Sequence, residues 1–213
     1  MTTYAPGATD ALILIDIQND FCPGGALAVP DGDGVVPVAN RLSRRFATLV
    51  LTQDWHPADH RSFADNHPGA APFSTVAMPY GPQVLWPTHC VQGTAGADFH
   101  PNLDTVPAHL LIRKGFRPAI DSYSAFAEND RATTTGLAGF LRERGITRLF
   151  FAGLATDFCV AFSAEDAVRS GFPAVVVEDG CRAIDLNGSL DAARRRLVEA
   201  GAVFCREADI GGL

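Results

Sequence analysis

Side chains able to do chemistry fall where short apolar runs of this chain end. Asp16 follows Ala11-Leu12-Ile13-Leu14-Ile15, Asp54 and His56 follow the run 48–52, Lys114 follows the run 110–113, and Cys159 comes soon after the run 148–152. Thiol attack on a carbonyl carbon needs a proton acceptor and a positive charge, which Asp16 and Lys114 can supply. Cys159 stands in Gly-Leu-Ala-Thr-Asp-Phe-Cys-Val, where a helix is expected to begin near Asp157. In the first turn of a helix, free N–H groups and the dipole favour a thiolate and can hold a developing oxyanion. Cys181 and Cys205 have no base nearby in sequence, and Cys22 and Cys90 fall in loops that could line a pocket. Taken singly, each residue has an ordinary reading as a turn aspartate, a surface lysine or an inert buried cysteine. Placed together at the carboxyl ends of neighbouring parallel strands, they share one rim, where ligands of open α/β sheets bind.

The histidines point to a second kind of chemistry. Asp54-x-His56 sets two ligand-type side chains at i and i+2, on one face if the strand persists. His60, His67 and His89 follow in an irregular stretch. One carboxylate with two imidazoles suits zinc, iron or manganese, with other positions open to water. Spacing alone does not choose the ligands beyond Asp54 and His56, and hydrogen-bonded loop histidines are the plain alternative.

The elements that must position these groups follow from periodicity. Strands are expected at 11–15, 48–52, 110–113, 148–152, 174–178 and 202–205, and helices at 35–46, 134–144, 157–170 and 190–200. Residues 19–34 are rich in Gly, Pro and Asp and read as loop, and 57–102 are dense in Pro, Gly, His and aromatics with almost no periodicity. A stretch of that length without regular structure is usually functional. The alternation of strand and helix predicts an α/β fold, a three-layer αβα sandwich around a mainly parallel sheet of about six strands.

Composition bounds the rest. The chain has 213 residues, 47% hydrophobic and 19% charged, with 20 Gly and 14 Pro. That excludes a disordered or collagen-like chain. One domain over 1–213 is expected, with 57–102 forming a pocket wall. The net charge of −7, without a basic patch, disfavours nucleic acid and anionic membranes as partners. Five cysteines without a CxxC pair suit a reducing compartment, so a cytoplasmic location is expected. No signal peptide and no bilayer-spanning run is read from the sequence.

Several segments together resemble the nicotinamidases, within the broader isochorismatase-like cysteine hydrolases. They are Asp16-Ile17-Gln18-Asn19-Asp20-Phe21-Cys22, Gln53-Asp54-Trp55-His56-Pro57-Ala58-Asp59-His60, Trp86-Pro87-Thr88-His89-Cys90-Val91-Gln92-Gly93-Thr94, Lys114-Gly115 and 153–160. The resemblance runs in order from about residue 11 to 205 and implies an isochorismatase-like fold. It implies Asp16, Lys114 and Cys159 as a catalytic triad, and Asp54, His56 and His89 as ligands of one divalent transition metal, zinc or iron first and manganese next. His60 is expected beside the ligands or in the pocket. Phe21, Trp86, Leu27 and Phe158 are expected around the substrate ring, with Phe158 standing where some members have histidine. A cis Leu154–Ala155 bond is implied, with the N–H groups of Ala155 and Cys159 as the oxyanion hole.

The implied reaction is hydrolysis of nicotinamide to nicotinate and ammonia through a thioester on Cys159, in NAD salvage, with pyrazinamide as a second substrate. The implied partner is this small molecule; a homodimer is compatible with the sequence, which leaves the oligomeric state open. Two other readings stand beside it: a metal-free cysteine hydrolase of another small amide, and a binding protein without turnover. Isochorismate ether hydrolysis is disfavoured, because it uses no cysteine nucleophile.

Overall fold

Six of the apolar runs become neighbours in one sheet. The computed structural model describes residues 3–211; residues 1–2 and 212–213 of the expected 1–213 domain lie outside the described residues. The strands are β1 (Asp10–Ile15), β2 (Thr48–Asp54), β3 (Thr75–Met78), β4 (Gly81–Val84), β5 (Leu110–Lys114), β6 (Arg148–Leu154), β7 (Ala174–Arg182) and β8 (Val203–Cys205). Six of them lie in the order β5-β2-β1-β6-β7-β8, with every pairing parallel. β1 is central and buried along its whole length, which is why it reads as an unbroken apolar run.

The helices are α1 (Val35–Ser43), α2 (Leu137–Glu143), α3 (Ala161–Arg169) and α4 (Ser189–Ala200). From β1 the chain crosses through α1 to β2 on one side, and from β6 through α3 to β7 on the other. Right-handed crossovers in opposite directions put α1 and α3 on opposite faces of the sheet. The fold is therefore an α/β sandwich with helices flanking a parallel six-stranded sheet. Ala11 to Ile15, Leu49 to Leu51, Leu149 to Ala152 and Val175 to Val177 form its core.

The strands β1 and β6 meet closely where they end. Gly153 has φ +124°, and a Cβ there would lie 2.1 Å from the Ile15 carbonyl oxygen. Only glycine fits this place, which draws the turn after β6 up to the end of β1.

Several elements depart from the expected bounds. The stretch 57–102 is not wholly irregular: β3 and β4 pair as an antiparallel hairpin. The half-exposed alternation of β3, and Pro82 in β4, conceal it in the sequence. The expected helix 157–170 begins as a π-helical turn, Thr156–Val160, and turns α-helical only at Ala161. The expected helix 134–144 starts at Leu137, because Thr135 Oγ1 accepts the Leu137 N–H (3.2 Å) ahead of it. α1 stops at Ser43, and Phe46 leaves the helix to pack against Phe150 (4.9 Å between ring centres). β7 runs four residues past the expected 178, since the chain rejoins β6 beyond an irregularity, pairing Cys181 with Gly153 and Arg182 with Leu154.

Candidate active site

The sheet register brings the polar groups together. Asp54 and Lys114 are partners across β2 and β5, and Ile15 and Gly153 are partners across β1 and β6. Asp16 leaves β1 with φ +48°, turning back toward the rim. Its Oδ1 accepts the Thr52 hydroxyl (2.6 Å), and its own N–H donates to Thr52 Oγ1 (3.2 Å). Lys114 Nζ stands 2.7 Å from Asp16 Oδ2, donates to Asp54 Oδ1 and the Ser122 carbonyl, and lies 3.4 Å from Cys159 Sγ. The Lys114–Asp16 approach is a buried ion pair, and Asp16 Oδ2 has no other hydrogen-bond partner among the described residues.

Burial and charge act against each other here. Burial pushes the Asp16 carboxyl up and Asp54 adds to this, while Lys114 opposes it. Burial works to raise Asp54 as well, but Lys114 and His56 outweigh it and hold that carboxyl well below the usual range. Burial disfavours the Lys114 ammonium, yet the two carboxylates keep it charged with a pKa well above the ordinary value. The Cys159 thiol is pushed well up by burial, which Lys114 counters in part. Burial therefore works against the thiolate that a helix start was expected to favour, since Cys159 sits in a buried π turn beside two carboxylates. The Asp16 carboxylate, ion-paired to Lys114, is the buried acceptor beside it and can take the thiol proton.

The second group of residues adjoins the first. Asp54 Oδ2 lies 3.6 Å from His56 Nε2 and 3.8 Å from His89 Nε2. The ligand atoms of Asp54, His56 and His89 all fall within 4.8 Å of one another. His56 Nδ1–H donates to the Gly115 carbonyl (2.9 Å) and His89 Nδ1–H to the Pro87 carbonyl (2.8 Å). Carbonyls can only accept, so both histidines hold their Nε2 lone pairs toward Asp54, as metal-ligating imidazoles do. The Asp54 carboxylate raises the His56 pKa against the pull of burial, and a field that draws a proton there also draws a metal cation. The donor set fits a divalent transition metal.

Gln18 clamps the Asp54 backbone from both sides, accepting its N–H (2.8 Å) and donating to its carbonyl (2.8 Å). His60 is buried next to His56, but its ring is spent: Nε2–H donates to the Ile120 carbonyl (3.2 Å) and Nδ1 meets the Ser62 hydroxyl (2.7 Å). Burial pushes its pKa down to about 4. His67 turns away to the Arg61 carbonyl (2.8 Å).

A pocket opens on both groups, lined by Phe21, Leu27, Trp86, Phe158, Ala155 and Cys159 together with His56 and His89. Phe158 meets the Trp86 ring edge-on at 4.8 Å. The Leu154–Ala155 peptide is cis, and the Ala155 N–H donates to no acceptor among the described residues. Asp121, Tyr123 and Ile184 line the pocket too, and nothing in the sequence singled them out. Tyr123 accepts from Trp86 Nε1 (3.1 Å) and Gln83 Nε2 (2.9 Å), tying the β4 strand to the pocket wall. A larger cleft of about 440 Å³ lies away from these groups, lined by Arg131, Arg142 and Arg169. Asp166 pairs with Arg131 and Arg169, and the Ser170 carbonyl accepts from Arg142, so its guanidinium groups are already engaged.

Comparison with known proteins adds independent findings. The isochorismatase domain model matches residues 10–209. The nicotinamidase of Acinetobacter baylyi is 56% identical, over 90% of this chain and 89% of its own length. A solved nicotinamidase/pyrazinamidase of Acinetobacter baumanii superposes with a TM-score of 0.94 at 54% identity, covering 95% of this chain and 98% of that one. The PnC1 protein of L. infantum, solved in complex with nicotinate, has a TM-score of 0.86 at 39% identity, over 100% of this chain and 99% of that one.

Proposed function

This chain belongs to the nicotinamidase family of the isochorismatase-like cysteine hydrolases, and from that premise we propose that it hydrolyses nicotinamide to nicotinate and ammonia through a thioester on Cys159. The observation that carries the reading is the buried cluster of Asp16, Lys114 and Cys159 abutting Asp54, His56 and His89 at one aromatic-walled pocket.

The substrate ring lies between Phe21 and Trp86, whose flat apolar faces suit a pyridine. Asp16 takes the Cys159 proton, and Lys114 holds the negative charge that spreads over thiol and carboxylate. Sulfur bonds to the carboxamide carbon, and the oxyanion is held by the N–H groups of Ala155 and Cys159. Asp16 returns the proton to the leaving nitrogen as the C–N bond breaks, releasing ammonia. Water deprotonated by Asp16 then adds to the thioester carbon, the C–S bond breaks, and the proton restores the thiol. Asp54, His56 and His89 would hold a divalent ion, zinc or iron first and manganese next, which supplies Lewis acidity and a docking charge for the pyridine nitrogen. Pyrazinamide, with the same carboxamide and ring shape, is a second substrate. One domain, working in the cytoplasm, is sufficient for all these steps.

The test is ammonia release from nicotinamide by the metal-restored protein, with and without a chelator, beside the C159A variant. Absence of ammonia from the restored wild type, or normal turnover by C159A, would overturn the reading.

A further inference from the structure

We propose that Asp157 is a positioning residue: it fastens the segment 183–189 to the nucleophile turn and so fixes Ile184 as a wall of the substrate pocket. The proposal rests on the reading of this pocket as the site of nicotinamide hydrolysis.

Asp157 is two residues from Cys159, inside the π turn, and only 2% exposed. Its carboxylate has no hydrogen bond to Asp16, Lys114 or Asp54 among the described residues. Instead Oδ1 accepts the Ile184 N–H (3.0 Å), and Oδ2 accepts the Asp185 N–H (2.8 Å) and the Ser189 hydroxyl. The segment it receives is unusual. Asp185, Asn187 and Gly188 have φ of +54°, +52° and +80°, so left-handed residues on both sides of Leu186 fold the backbone into a tight turn. At the entry to this turn the successive N–H groups of Ile184 and Asp185 point at one carboxylate, that of Asp157. The strain of non-glycine residues at positive φ persists only where surroundings hold it in place.

The consequence reaches the pocket. Phe158 and Cys159 line it from the turn that carries Asp157, and Ile184 lines it from the segment that Asp157 holds. One buried carboxylate therefore sets the spacing between two walls that are 26 residues apart in sequence, as counted from Phe158 to Ile184. An isosteric amide cannot do this. Asparagine offers one acceptor oxygen and an NH₂ that would face an N–H donor, so one of these N–H groups would be left unpaired. A loosened Ile184 weakens the grip on the ring equally in ground and transition states, which raises KM and spares kcat.

The experiment compares wild type, Asp157→Asn, Ile184→Ala and the double variant, each metal-restored, by steady-state ammonia release. Asp157→Asn is expected to raise KM for nicotinamide about tenfold with kcat within about threefold of wild type. Ile184→Ala raises KM less, and the double variant no more than Asp157→Asn alone, because the two act through one wall. Ser189→Ala, which keeps both backbone bonds, shifts KM in the same direction by about twofold to threefold and serves if Asp157→Asn does not fold. Amide hydrogen exchange at Ile184 and Asp185 reads the fastening directly and needs no turnover; it should speed up at least about tenfold in Asp157→Asn. Unchanged exchange, an unchanged KM, or additive effects in the double variant would overturn the proposal. A wild type that releases no ammonia overturns the activity reading instead, and exchange then still decides the fastening.

Discussion

Asp54 and Lys114 are register partners on adjacent parallel strands, and their side chains form an ion pair at the rim of the sheet. The carboxylate placed for the metal and the ammonium placed for the thiol are thus one electrostatic unit. Asp54→Asn should therefore lose bound metal and also free Lys114 from one of its two carboxylates. Metal content by elemental analysis and kcat/KM for nicotinamide should both fall, the latter by about 10³-fold or more. An Asp54→Asn protein with wild-type metal content would contradict this coupling.

Asp16 Oδ2 is held by Lys114 alone, and the thiol beside it is pushed up by burial. Asp16→Asn removes the acceptor while keeping the shape. The rate should drop by about 10³-fold or more, in kcat and kcat/KM together, since the loss is confined to the transition state. Mass spectrometry of a quenched reaction should find the acyl adduct on Cys159 in wild type and none in Asp16→Asn.

Both ring nitrogens of His60 have protein partners, whereas His89 holds its Nε2 free toward Asp54. His89→Ala should strip the metal. His60→Ala should leave the metal content close to wild type and lower stability by about 1–3 kcal/mol, the cost of unpairing buried Ser62 and Ile120 groups. Equal metal loss in the two variants would make His60 a ligand.

Glu207 ties its turn to α1 and to the turn after it, accepting from Arg41 (2.6 Å) and Arg45 (3.0 Å). Hydrogen bonding from Arg41 holds its carboxyl below the ordinary value. A lowered folded-state pKa stabilises above the unfolded pKa, and the contribution is lost as pH falls through the folded value. Glu207→Gln should lower Tm by about 2–4 °C near pH 7, and the gap should close in acid. Thermal scans at several pH values check it; a gap that widens as pH falls contradicts the sign.

What the sequence discloses is set by period and by strand ends. The unbroken run before Asp16 reads as a buried central strand because β1 is covered on both faces, and Asp54, Lys114 and Cys159 lie at strand ends that neighbouring parallel strands bring together. The π turn at Cys159 was not legible, since its apolar residues continue the spacing of α3. Burial pushes the Cys159 thiol up first, and Asp16 and Asp54, more than a hundred residues away in the chain, add to it, so neither influence is visible in the local sequence. Tyr123 and Ile184 come from segments without periodicity, and only tertiary packing turns them toward the pocket. His89 was within reach of motif resemblance but not of spacing, because no regular element ties it to Asp54.

The strand order places β1 and β6 side by side at the centre, with earlier strands on one flank and later strands on the other. Asp16 belongs to the first half of the chain, as do Asp54, His56, His89 and Lys114, whereas Cys159 arrives with β6. During synthesis from the N-terminus, the acid, the cation and the imidazoles are made before the thiol they serve. The cluster is complete only once β6 lies against β1, so docking of the later half of the sheet on the earlier half is what brings the thiol to the acid and the cation.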